Sequence, residues 1–145
     1  MGLFDFMRGI SFFQGKDTEG LTHDDIDFAK WVAAHRNWRK RLSDYIHGGS
    51  QEELDEAIVC KADRCELGKW IDGNGKRFYG RLPVFGKLRD HHAEFHRSAG
   101  RVVNVFKREG QHAATKALHT EFDLVSLKVI EHLESLENEV KGRSS

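Results

Sequence analysis

The sequence predicts an all-α protein, a helical bundle of three long and two short helices. Its composition favours helices, because Ala, Leu, Glu, Lys and Arg are abundant over long stretches and Pro83 is the single proline. Apolar residues recur at steps of three and four in three long stretches, and capping or stop residues separate them. With 145 residues, the chain is long enough for one domain with one core.

The first long helix is predicted to begin after Thr22, which can cap it, and to run to about Ile46. Two aspartates follow in its first turn, and HGG at 47–49 stops it. Its apolar stripe places His35 in the middle of the buried face. The stripe consists of Phe28, Trp31 or Val32, His35, Trp38, Leu42, and Tyr45 or Ile46.

Two short helices are predicted next. Ser50 and Glu53 form a capping box for a helix through about Val59. Residues 60–84, here called the connector, are less regular: a helical piece around CELGKWI is followed by DGNG, a strong turn signal. We expect the connector to fold against the bundle.

The other two long stretches carry the most regular apolar pattern. The third helix is predicted from Val84 to Gly110, which ends it, and the last from about 111 to 140. The seam of the third consists of Phe85, Leu88, His92, Phe95, Ala99, Val102 and Phe106. That of the last consists of Leu118, Phe122, Val125, Val129, Leu133, Leu136 and Val140.

The chain is predicted to divide into an amphipathic segment with a linker at 1–20, the helical bundle at 21–141 and a disordered tail at 142–145. Residues 1–13 are apolar at helical spacing, too short to span a bilayer and without an export signal, so we expect them to be retained. Two alternatives stay open for them: they fold onto their own bundle, or they dock on a partner or a membrane surface.

Charge and cysteine content exclude several classes of protein. The 23 basic and 23 acidic residues give no net charge and no basic stripe, so nucleic-acid binding is not expected. Two cysteines, Cys60 and Cys65, without a secretory signal indicate a reducing, cytoplasmic compartment rather than a disulfide framework. No transmembrane segment is predicted.

Two histidines interrupt the apolar pattern, and a third lies one helical turn from one of them. His92 and His96 are four apart on the third helix, where both rings project from one face, and His35 interrupts the first stripe. An isolated HxxxH pair is a weak signal. A buried imidazole without a partner, however, costs about 1–3 kcal/mol. If the two helices pack by their apolar faces, the three rings converge in the core.

Cys65 can complete a four-ligand site from the connector. A thiolate with three imidazoles favours zinc, whereas carboxylates in place of the thiolate would favour iron. The sequence therefore predicts a buried zinc site formed by His35, Cys65, His92 and His96, with a net charge of about +1.

The same residues resemble the bacterial chemoreceptor zinc-binding domains. The matching motifs are HRNW at 35–38, CELGKW at 65–70 and HAEFH at 92–96, in the order and at the separations of that family. The resemblance covers roughly 24–140. It implies a helical, commonly homodimeric domain that senses zinc and, through its zinc-thiolate, oxidants. It also implies a signalling partner, such as a chemoreceptor in chemotaxis or a cyclic-di-GMP enzyme. The stand-alone arrangement departs from the family pattern.

Two alternatives to a sensor stay open. Zinc can be a static staple in an adaptor protein, because a closed site contributes folding energy regardless of signalling. A zinc hydrolase is disfavoured, since four protein ligands leave no position for water and HAEFH lacks the glutamate of HExxH. We therefore predict no enzymatic activity.

The remaining histidines, the second cysteine and two tryptophans are expected to have no ligand role, apart from one alternative for His91. His91 is expected to be exposed or to help capture metal, and Cys60 to pack as a small apolar residue. Trp38 and Trp70 are expected to be core anchors. Surface positions are predicted for His23, His47, His112, His119 and His132.

Overall fold

The computed structural model describes residues 26–144, with side chains through residue 142. All regular elements in this range are helical, which confirms the predicted class. The helices are α1 (Phe28–Ile46), α2 (Glu56–Val59), α3 (Glu66–Trp70), α4 (Lys76–Tyr79), α5 (Pro83–Glu109), α6 (Gln111–Ala117) and α7 (Asp123–Ser144). The predictions for residues 1–20, and for His23, lie outside the described residues.

Helix α1 begins later than predicted and ends where predicted. The Asp27 carboxylate accepts a hydrogen bond from the Lys30 amide at 2.9 Å, so Asp27 caps the helix. Thr22, the predicted cap, lies outside the described residues. The buried face contains the predicted aromatic residues and His35, together with Arg41, which the apolar pattern did not predict.

The predicted capping box at Ser50 is wrong. The Ser50 hydroxyl accepts from the Glu52 amide at 3.0 Å and stabilises a turn, and Asp55 caps α2 by accepting from Ala57 N at 2.9 Å. Glu53 therefore lies before the helix. The short polar side chain of Ser50 bonds to the backbone two residues on, which competes with helix initiation at that point.

The connector is more helical than its turn signals suggested. A 3₁₀ turn at Ala62–Arg64 precedes α3, and the DGNG sequence forms a kink at Gly73 between α3 and α4. Trp70 fixes the connector to the bundle, with its ring centroid 4.9 Å from that of Trp31 and 6.0 Å from that of Phe85. The predicted packing of the connector against the bundle is thus confirmed.

Helices α5 and α7 form the frame on which α1 packs. Pro83 lies in the first turn of α5, and Gly110, with φ +96°, ends it as predicted. A π-helical segment at Leu118–Phe122 joins α6 to α7, which runs past the predicted end near residue 140 to Ser144. The core between these helices includes Leu42, Phe95, Phe122, Val129 and Leu133, all fully buried.

None of the helices among residues 26–144 is long and apolar enough to cross a membrane.

Candidate metal centre

The structure brings together the four side chains that the sequence singled out. One donor atom each from His35, Cys65, His92 and His96 lies within 4.8 Å of the other three. We call these four residues the metal centre. Among residues 26–144, this is the one cluster of three or more histidine, cysteine or carboxylate side chains placed to hold a metal ion.

Two long helices and the connector supply the donors. His35 comes from α1, His92 and His96 come from successive turns of α5, and Cys65 directly precedes α3. The three histidines are between 1% and 3% exposed, whereas Cys65 is half-buried. The imidazoles are therefore fixed by the core, and Cys65 is the least buried residue of the four.

Backbone carbonyl groups fix the orientation of two rings. His35 Nδ1 donates to the Trp31 carbonyl at 2.7 Å, and His96 Nδ1 donates to the Val59 carbonyl at 3.1 Å. With Nδ1 as donor, each ring keeps the Nε2 lone pair for another partner. A hydrogen bond to the second ring nitrogen is the usual support of a histidine that binds a metal.

Burial keeps the imidazoles neutral. Desolvation lowers the pKa of His35 to about 4, although the bond to the Trp31 carbonyl opposes the shift. Desolvation and the nearby His35 lower the pKa of His96 to about 3. The pKa of His92 is also lowered well below its ordinary value, first by desolvation and then by the other two rings. At neutral pH all three rings therefore offer lone pairs.

Cys65 is protonated when no ion binds it. Desolvation raises the pKa of its thiol to about 11, against the smaller effect of the Gly68 and Leu67 amides. Its Sγ lies 3.7 Å from His35 Nε2. A cation at the centre would offset the desolvation cost of the thiolate.

Gly68 is required by the close approach of the connector to itself and to α5. A Cβ at this position would lie 1.9 Å from the Ala62 carbonyl oxygen and 3.2 Å from His92 Cε1. The backbone around Cys65 can fold under α5 only if residue 68 has no side chain.

The donor set fits a tetrahedral ion. The Nε2 atoms of His92 and His96 are buried without a hydrogen-bond partner, a costly arrangement that a bound cation would relieve. Bond lengths of about 2.0–2.3 Å place tetrahedral ligand atoms roughly 3.3–3.6 Å apart. The separation of 3.7 Å between Cys65 Sγ and His35 Nε2 is already close to that range. These residues can hold a metal ion.

A cavity of about 270 Å³ opens onto the centre from the side of α2. Cys65 and His96 line it, together with the apolar side chains of Trp38 and Ile58. Arg41, 6% exposed, also lines it. Of the four residues of the metal centre, a small molecule in this cavity would therefore meet Cys65 and His96.

An ion pair beside this cavity was missed by the sequence analysis. Arg41 Nη2 donates to Glu52 Oε1 at 2.6 Å, and the guanidinium lies 3.9 Å from the centre of the Trp38 ring. The position of Arg41, three residues after Trp38 on the buried stripe, was the available signal. It was missed because an arginine in an amphipathic helix is usually exposed.

The other singled-out residues lie outside the centre. Trp38 and Trp70 are core residues, as predicted. Surface positions are confirmed for His47, His112 and His119. Cys60, half-buried at the end of α2, is no part of the cluster. His91, expected to be exposed, is half-buried because its ring packs 4.8 Å from that of His132, which is also half-buried.

Comparison with protein families decides the identity of this segment. The family model described as the chemoreceptor zinc-binding domain matches residues 35–103. The chain contains a chemoreceptor zinc-binding domain. The matched range begins at His35 and includes all four residues of the metal centre, together with the connector and most of α5. No match to the chain was found among curated proteins or among solved structures.

In this zinc-binding domain, the matched range supplies every donor of the metal centre, while α6 and α7 lie beyond it. Those helices pack against α5, and the π-helical segment that joins them places the ring centroid of Phe122 5.0 Å from that of Phe95. Helices α6 and α7 therefore support the site without contributing a donor to it.

Proposed function

We propose that the chain is a zinc-binding regulatory domain of bacterial signalling, in which His35, Cys65, His92 and His96 bind Zn²⁺ and Cys65 responds to the metal or to oxidants. The observation that carries the proposal is the asymmetry of the centre. Three neutral imidazoles are fixed in the core, and Cys65, the least buried of the four residues, lines a cavity. A bound zinc ion would keep this sulfur as a thiolate and so raise its reactivity.

The oxidative step concerns the Cys65 sulfur alone. The thiolate attacks the terminal oxygen of a hydroperoxide, so that an S–O bond forms while the O–O bond breaks. The sulfur is oxidised to a sulfenate, and the alkoxide or hydroxide that leaves takes the proton of the transferred oxygen and departs as an alcohol or water. The oxidised sulfur is a poorer ligand, so the remaining three imidazoles hold the ion less tightly.

Changes at Cys65 would pass to the surface through the connector. Cys65 is the N-terminal boundary of α3, and Glu66, the first residue of that helix, pairs with Lys30 of α1 at 3.4 Å. Displacement of the sulfur would move α3 against α1 and α2. A partner that binds this side of the bundle would sense the difference.

The partner belongs to the same proposal. We expect a homodimer in the cytoplasm that acts on a signalling protein, such as a chemoreceptor or a cyclic-di-GMP enzyme, with residues 1–13 as a possible docking segment. Leu124 and Leu127 on α7 are 63% and 64% exposed, and such apolar side chains suit an interface between proteins.

A structural staple is the main alternative. It is favoured by the burial of the three imidazoles, because a site closed by the core exchanges its ion slowly. A hydrolase is not supported: the four donors form a closed set, and Ala93 follows His92 where HExxH would place glutamate. We propose no enzymatic role.

The test is metal analysis with thiol titration of the purified full chain, before and after mild peroxide treatment. We expect about one zinc per chain, released on oxidation, and loss of that release in Cys65→Ser. Cys60→Ser is the matched control and should release zinc as the parent does. Retention of zinc after oxidation of Cys65 would favour the staple, and a reduced protein without zinc would contradict both.

A further inference from the structure

A second pair of histidines lies between α5 and α7, outside the metal centre. The rings of His91 on α5 and His132 on α7 have centroids 4.8 Å apart and planes inclined by 37°. We call these residues the surface histidine pair. Two imidazoles from different helices meet here without belonging to the hydrophobic core.

Each ring of the pair keeps a nitrogen free for a ligand. His91 Nδ1 donates to the Lys87 carbonyl at 3.0 Å, which leaves the Nε2 lone pair unused. His132 Nε2 is buried and has no hydrogen-bond partner. A buried ring nitrogen without a hydrogen-bond partner has lost its hydration without forming a replacement bond, which costs free energy. A ligand that binds this nitrogen would remove that cost.

The spacing of the pair matches that of the metal centre in the same molecule. The ring centroids of His92 and His96 are 4.7 Å apart, those of His35 and His92 5.1 Å, and those of His35 and His96 6.0 Å. The surface pair, at 4.8 Å, lies within this range. The two rings are therefore as close as rings that converge on one ion.

The charges around the pair set a limit on its affinity. The Glu131 carboxylate acts on His132 and favours a cation, whereas Lys87 and Lys128 oppose one. Glu94 is already paired with Arg97 at 2.6 Å. A cavity of about 350 Å³, lined in part by His91 and Lys128, leaves room for water beside the His91 ring. The arrangement suits an ion held by two imidazoles, with water in its other positions.

We propose that His91 and His132 form a second metal site, which binds a divalent transition-metal ion such as Zn²⁺ weakly and with rapid exchange. Two protein ligands leave at least two positions of the ion to solvent, so its binding is weaker than that of a four-ligand site. The proposal rests on the surface pair alone and does not depend on the sensor function.

Equilibrium dialysis of the full chain against zinc tests the proposal. We expect about two ions per chain, one held tightly and one weakly, with the weak site at least ~10-fold weaker again in His91→Ala and in His132→Ala. His112→Ala, which removes an exposed histidine of α6, is the matched control and should keep both ions.

The first ion should stay bound in both variants, because neither residue belongs to the metal centre. A weak site that persists in His91→Ala and His132→Ala, or that is lost equally in His112→Ala, would overturn the proposal. So would a saturating count of one ion per chain in the parent. Failure of the sensor function would instead appear as loss of the tight ion or of its response to peroxide.

Discussion

Zinc binding to the metal-free protein should release about one proton per ion, and that proton should come from Cys65. The histidines have none to give: the pKa of His35 is lowered to about 4 and that of His96 to about 3, and His92 is shifted in the same direction. The thiol, with its pKa raised to about 11, is protonated at every pH near neutrality.

At pH 6.5 the number of released protons distinguishes buried imidazoles from solvated ones. Three histidines with an ordinary pKa of 6.5 would each be half protonated, so an open ligand set would release roughly 1.5 protons from imidazoles and ~1 from the thiol, or ~2.5 in all. The buried set should release ~1 at this pH and ~1 again at pH 7.5. Isothermal titration calorimetry in buffers of different ionisation enthalpy measures the count.

Cys65→Ser serves as the control for the source of the proton, and the count should then fall close to zero. Circular dichroism should show that the metal-free protein is still helical at both pH values. A count near 2.5 at pH 6.5 would refute the reasoning, because it would mean that the imidazoles are solvated before the ion binds.

Three further predictions concern single positions. Gly68→Ala should weaken zinc binding at least ~10-fold in a competition assay, because its Cβ would collide with the Ala62 carbonyl oxygen. The control Gly86→Ala, whose Cβ has space, should bind zinc as the parent does. Equal zinc affinities of the two variants would contradict the steric argument. Arg41→Met should lower the free energy of unfolding in urea by about 3–5 kcal/mol through the unpaired Glu52, and a loss below ~1 kcal/mol would show that the pair is solvated. The metal-free protein should lose stability as pH falls from 6.5 towards 4, because His35 takes up a proton in the unfolded state but stays neutral in the folded state. The free energy of unfolding should fall by about 3 kcal/mol over this range from His35 alone. Urea titrations that give the same free energy of unfolding at both pH values would contradict the lowered pKa of His35.

The clustering of the four side chains could be predicted largely because two of the histidines occupy positions where the pattern expects apolar residues. His35 and His92 fall on apolar stripes whose period fixes which face is buried, and that period is set by helix geometry alone. Cys65 was harder to place. The connector has no period, so its path depends on the Trp70 contacts and on the absence of a side chain at Gly68.

The sequence failed to predict the structure where local hydrogen bonds compete for a helix start, or where tertiary contacts decide which side chains are buried. Ser50 and Asp55 are both acceptable caps, and only the final fold selects Asp55. Arg41 is buried because Glu52, eleven residues away in a loop, neutralises it. The meeting of His91 and His132 depends on the register of α5 against α7, which a single sequence does not specify.

The unequal anchoring of the four donors has a thermodynamic consequence. Folding of the bundle already orders the three imidazoles, so their side-chain entropy is lost before any ion arrives. The remaining ordering on ligation falls on the short stretch around Cys65, between α2 and α3. Substitutions in residues 60–64 should therefore tune how tightly the ion is held across a wide range, while the melting behaviour of the bundle itself stays nearly constant.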